Sequence, residues 1–129
     1  MNARVLIIDD EWTIQQALQA RLLAHGFEVL MACDGPSGIE AARKQHPDVI
    51  LLDLRMPDMD GFEVLQHLRA SPEAASIPVI FLTANVQDTV KQKALSAGAA
   101  GFLPKPYEPT VVLEAIRRAT SRPAEPVAT

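Results

Sequence analysis

Five short apolar runs punctuate this chain: RVLII (4–8), FEVLMA (27–32), DVILL (48–52), PVIFL (78–82) and GFL (101–103). Most are too short and too continuously apolar to be faces of surface helices. They fit strands covered on both sides. The stretches between them have helical spacing. In the first, Ile14, Ala17, Leu18 and Leu22 share a stripe, with Gln15, Gln16, Gln19 and Arg21 facing away, and His25-Gly26 as the stop. Gly35-Pro36 opens a second helix through Ile39, Ala42 and Lys44, closed by Pro47. Asp60 can cap a third over Gly61 to Arg69, ended by Ser71-Pro72. A fourth is predicted from Val86 to Ser96 with a stop at Gly98. A fifth follows Pro109, with Val112, Leu113, Ile116 and Ala119 inward. Strands alternating with helices make a parallel sheet with helices on both faces. Right-handed crossovers leave a doubly wound α/β sandwich as the economical solution.

The length, 129 residues, suits one compact domain. The net charge of −4 argues against direct nucleic-acid binding, which needs a basic face. A single cysteine, Cys33, rules out an internal disulfide and a cysteine-rich metal site. No apolar run reaches 18 residues and the N-terminus lacks an export pattern, so no membrane insertion and a cytoplasmic location are expected. The segment 121–129, with two prolines and no apolar stripe, reads as a flexible tail or a truncated linker after a domain over 1–120.

In an open parallel α/β sheet the ligand site lies beyond the carboxyl ends of the strands. Strand 1 is followed by Asp9 and Asp10, strand 2 by Asp34, strand 3 by Asp53, strand 4 by Thr83 and strand 5 by Lys105. Taken singly, each has a bland reading: a turn former, a helix cap or a solvated lysine. Asp34, before Gly35, is expected to be only that. The coincidence of the others at one sheet edge points further. If strands 1 and 3 are neighbours, Asp9, Asp10 and Asp53 share a pocket. Crowded carboxylates cannot stay ionised and bare at low cost, and a divalent cation such as Mg2+ resolves the conflict with oxygen ligands. With Lys105 opposite and a hydroxyl at Thr83, a phosphoryl group could be held against a carboxylate nucleophile. His25, His46 and His67 fall outside this constellation.

The pieces VLIIDDE, DVILLDLRMPDMDGFEVL, IPVIFLTA and AGAAGFLPKPY, with their spacing, resemble the receiver domain of bacterial two-component response regulators over about residues 3–120. The resemblance implies a flavodoxin-like sheet of order 2-1-3-4-5 with five helices. It makes Asp53 the phosphoacceptor and Asp10 a direct Mg2+ ligand, with Asp9 acting largely through water and the Arg55 backbone carbonyl completing the protein ligands. Mn2+ is an acceptable substitute. Thr83 and Lys105 would bind the phosphoryl group, and the Lys105-Pro106 bond is expected to be cis. Phe102 occupies the place of the family's switch aromatic, with a plain core role as the alternative. Arg55 and Asn85 flank the path of attacking water and are expected to tune the phosphoryl lifetime; for Arg55 a simple exposed loop residue is the alternative. Trp12, beside the acids, is expected to report site occupancy by fluorescence.

The implied partners are a sensor histidine kinase or a histidine phosphotransfer protein, and a downstream effector or output domain. The implied function is a phosphorelay switch of the helix 4–strand 5–helix 5 face. Such a switch catalyses only its own phosphorylation and dephosphorylation. The rivals are a haloacid-dehalogenase-like phosphatase using Asp9, a phosphorylation-independent interaction module, and a flavin-binding protein. The first wants a second Asp where Glu11 stands; the last wants a Ser/Thr/Gly-rich loop where DDEWT stands.

Overall fold

In the computed structural model, residues 3–84 and 87–121 are described. The order is β1 (Arg4–Ile8), α1 (Trp12–Ala24), β2 (Glu28–Ala32), α2 (Gly35–Gln45), β3 (Val49–Asp53), α3 (Gly61–Ala70), β4 (Val79–Thr83), α4 (Asp88–Ser96), β5 (Gly101–Pro104) and α5 (Pro109–Ser121). All five strands are parallel, in the order β2-β1-β3-β4-β5. This is the doubly wound arrangement the alternation predicts, in the flavodoxin-like order that the resemblance implies.

The continuous apolar runs are explained by two cores. Strand side chains alternate, so Leu6, Ile8, Ile50, Leu52, Val79 and Phe81 pack beneath α2, α3 and α4. Val5, Ile7, Val49, Leu51, Ile80 and Leu82 pack with Leu18, Leu22, Val112, Leu113 and Ile116 of α1 and α5. The central strands β1, β3 and β4 are thereby covered on both faces, whereas the edge strands β2 and β5 are only partly buried.

The helix signals act as read. Asp34 accepts from the Ser37 backbone N–H at 2.8 Å and its hydroxyl at 2.7 Å, so its role is a cap. Asp60 and Glu63 form a reciprocal capping box at the start of α3. Gly98, at φ 95°, turns the chain out of α4. The predicted start of α4 at Val86 lies outside the described residues, as do residues 122–129 of the tail expected over 121–129, whereas Ser121 is the last residue of α5.

α1 corrects one expectation. Leu18 and Leu22 are buried, but Ala17 is exposed and Gln15 is fully buried. The inward stripe therefore runs through 15, 18 and 22, spacings that a helical face allows equally well. The Ile14 side chain lies outside the described residues.

Gly61 joins the fold to the rim of the sheet. Its N–H donates to the Leu54 carbonyl at 2.9 Å. A Cβ on it would stand 2.8 Å from the Asp53 carbonyl oxygen and 2.9 Å from Leu54 Cα and Phe81 Cε1. Backbone cannot yield as a side-chain tip can. Gly61→Ala is expected to cost about 1–3 kcal/mol, the usual range for overpacking, measured by urea unfolding. An unchanged midpoint would mean the β3–α3 junction is looser than its contacts imply.

Candidate functional site

β1 and β3 are hydrogen-bonded neighbours whose register ends with Ile8 opposite Leu52. The next residues, Asp9 and Asp53, therefore emerge side by side at the carboxyl edge of the sheet. Asp10 follows Asp9 into the β1–α1 turn and is exposed, whereas Asp9 is 2 % and Asp53 5 % exposed. One carboxylate oxygen from each of Asp9, Asp10 and Asp53 lies within 4.8 Å of the others. Three hard oxygen donors at that spacing, with one side open to solvent, suit a small divalent cation.

Lys105, at the end of β5, reaches this cluster from the far side. Its Nζ is 2.9 Å from Asp9 Oδ2, 3.3 Å from Glu11 Oε1 and 3.4 Å from Asp53 Oδ2. The lysine's position follows from pairing of β5 with β4: its N–H donates to the Thr83 carbonyl at 2.8 Å. The Lys105-Pro106 bond is cis. Burial works against the lysine's charge, but the hydrogen bond and charge of Asp9, then Asp53 and Glu11, outweigh it and raise its pKa above the ordinary 10.5.

The two carboxylates respond differently. Asp9 is held from both sides, since Oδ1 accepts the Glu11 N–H at 2.9 Å and Oδ2 takes Lys105. Among the described residues Asp53 has, besides Lys105, a long 3.3 Å bond from the Arg55 N–H. Burial first, then the negative charge of Asp9, push the Asp53 carboxyl up from 3.8 to about 6 against the pull of Lys105 and the Arg55 N–H. Burial and the charge of Asp9 thus favour the neutral form of the Asp53 carboxyl.

The other sequence-predicted residues surround this centre. Thr83 is fully buried at the last position of β4, one residue beyond the Leu82 that pairs with Asp53. A cleft of about 600 Å³ runs between the β3–α3 loop and α4, with Leu54, Arg55, Met56, Thr83 and Val90 on its walls. The Arg55 side chain is exposed there. Phe102 is partly buried on β5 opposite Phe81 and packs against the core. Asn85 lies outside the described residues. Trp12 opens α1 two residues after Asp10 and is 54 % exposed.

The response regulator receiver domain family matches residues 5–117. The chain belongs to this family. The receiver is 40 % identical over 114 residues to the protein PilH of Pseudomonas aeruginosa, covering 88 % of this chain and 94 % of PilH. It is 38 % identical over 120 residues to the response regulator PleD of Caulobacter vibrioides, covering 93 % of this chain; the chain spans only about a quarter, 26 %, of PleD. Among solved structures it is similar to the receiver domain of the Pseudomonas aeruginosa sensor histidine kinase PA1611. That match has a TM-score of 0.86 and 28 % identity, and covers 94 % of this chain and 99 % of the other. In that relative a magnesium ion is coordinated in the active site cleft.

Two residues of this receiver's rim escaped the sequence reading. Glu11 was visible as a third acid, but nothing in the sequence shows that Lys105, 94 residues away, reaches it. The helical stripe puts Gln15 on the solvent side of α1, yet its Nε2 donates to the Ala32 carbonyl at 2.6 Å inside the fold. No helix among the described residues is long and apolar enough to cross a membrane.

Proposed function

We propose that this receiver accepts a phosphoryl group on Asp53, in a Mg2+-dependent reaction, from the phosphohistidine of a sensor kinase or a histidine phosphotransfer protein. The observation that carries this reading is the gathering of Asp9, Asp10 and Asp53 within 4.8 Å with Lys105 on the far side. Asp10, exposed, is the direct ligand. Asp9, already engaged by Lys105 and the Glu11 N–H, acts through water. Asp53 and the Arg55 carbonyl complete the set. When bound, Mg2+, or Mn2+ in its place, neutralises charge between the carboxylates and the phosphoryl oxygens.

The chain's own groups do the rest by position. A carboxylate oxygen of Asp53 attacks phosphorus. The P–N bond to the donor imidazole breaks and its electron pair returns to the ring. Lys105 and the Thr83 hydroxyl then bind phosphoryl oxygens. Thr83 and Lys105 lead into β4, β5 and α4, so their recruitment shifts the α4-β5-α5 face, with Phe102 repacking. α4 is suited to move: among its residues only Ala94 is fully buried, and Lys93 lies over the Phe62 ring at 4.3 Å. The product is a switch read by an effector or output domain in the cytoplasm, and the only reactions catalysed are its own phosphorylation and dephosphorylation.

The test is incubation with acetyl phosphate and Mg2+ followed by intact mass. One phosphoryl group is expected on the wild type and none in EDTA. Steady turnover of a generic phosphomonoester would instead favour a phosphatase with Asp9 as nucleophile.

Arg55 stands exposed on the wall of the cleft, where its side chain can screen the acyl phosphate from water. Arg55→Ala is expected to shorten the phosphoryl half-life about threefold to tenfold, roughly 1 kcal/mol of barrier. An unchanged half-life would retire the role of Arg55.

A further inference from the structure

We propose that Gln15 is a positioning residue for the cation site, acting through the Ala32 carbonyl on the backbone of Asp9. The inference rests on the Mg2+-dependent reading above.

Ala32 is the last residue of β2, paired with Ile8 of β1. Its carbonyl accepts two hydrogen bonds, from the Asp9 N–H at 3.1 Å and from Gln15 Nε2 at 2.6 Å. The Asp9 N–H is thus the final rung that ties the acidic turn to the sheet. The Gln15 amide fixes the group on which that rung hangs. Asp9 in turn holds Lys105 at 2.9 Å and the Glu11 N–H at 2.9 Å, so a small shift of its backbone moves the negative rim and its counter-charge together.

A second observation separates Gln15 from a packing residue. Its side chain is fully buried, and Oε1 has no hydrogen-bond partner among the described residues. A buried acceptor without a partner costs stability that a methionine of similar shape would not. Packing alone would therefore favour an apolar residue at this position. What Gln15 supplies that Met cannot is the donor to Ala32.

The test is Mg2+ binding by titration calorimetry on the wild type and on Gln15→Met, with thermal unfolding of both in EDTA. Outer-shell partners that orient ligands typically matter tenfold or more in metal affinity, so Gln15→Met is expected to weaken Mg2+ binding roughly tenfold. Its unfolding temperature in EDTA should be unchanged or higher, because the orphan acceptor is gone; a purely structural residue would show the opposite pattern. Mg2+ affinity within twofold of wild type would overturn the proposal. Should Gln15→Met fail to fold, the wild type still decides. Its Gln15 side-chain NH2 resonances are expected to shift with Mg2+ along the same saturation curve as binding, and unmoved resonances would overturn the proposal. A wild type that takes up no Mg2+ would sink the receiver reading itself, and this inference with it.

Discussion

Lys105→Met destabilises the metal-free protein by about 3 kcal/mol near pH 8, at the lower end of the cost of breaking a buried ion pair. The lysine side chain is 10 % exposed and neutralises two carboxylates that are themselves nearly sealed from solvent. Without it, Asp9 and Asp53 face each other with no cation between them, and both are largely withdrawn from the solvent that would screen them. Two consequences distinguish this from loss of packing. The deficit should shrink as pH falls towards 5, because Asp53, already raised to about 6 by burial and by Asp9, takes up its proton more readily once the lysine's opposing pull is gone. Mg2+ should also rescue the variant by more than it stabilises the wild type, since the cation supplies the missing charge. Urea unfolding at two pH values, with EDTA and with saturating Mg2+, reads both effects. A deficit independent of pH and metal would mean that Lys105 contributes only its methylene chain.

Asp53→Asn abolishes phosphoryl uptake and, without metal, makes the protein more stable near pH 8. The sign follows from the raised carboxyl. Between 3.8 and about 6 the folded protein binds more protons at this site than the unfolded chain does. Stability is therefore lost as pH rises through that window, by at most roughly 3 kcal/mol. Asparagine has no charge to desolvate and escapes the loss. It also leaves Lys105 with fewer anions, so the expected net gain is about 1–2 kcal/mol at pH 8, vanishing below pH 4. Thermal unfolding from pH 4 to 8 in EDTA measures it. An Asn variant less stable than wild type at pH 8 would show that Asp53 supports the fold through Lys105 rather than straining it.

Both predictions concern a site whose parts were legible to different degrees. The fold follows from local signals: apolar runs of strand length, the caps Asp34 and Asp60, and stops at Gly26 and Gly98. β3 and β4 each end one residue later than their apolar runs because Asp53 and Thr83 still pair in the ladder, opposite Leu82 and Pro104. Asp53 and Thr83 thus ride on the last rung of their strands, where hydropathy reads them as already outside. The error at α1 has a similar cause. A helical wheel assigns Gln outward by polarity, but Gln15 is kept inside by a carbonyl on β2, a partner no local pattern reveals. Clustering of Asp9, Asp10 and Asp53 could be anticipated from strand adjacency. The grip of Lys105 on Glu11, and the unequal treatment of Asp9 and Asp53, required the tertiary distances.

The central claim is that excess negative charge at one edge of the sheet is relieved by a hard divalent cation, leaving Asp53 ionised and ready to attack. Calorimetric titration of the metal-free protein with Mg2+, in buffers of differing ionisation enthalpy, tests it most directly. Metal binding must displace whatever proton its ligand carries. One Mg2+ per chain is expected to bind, with release of roughly half a proton near pH 6 and almost none near pH 8. The pH 6 release should disappear in Asp53→Asn. Binding without proton release at pH 6, or release that survives in Asp53→Asn, would contradict the claim.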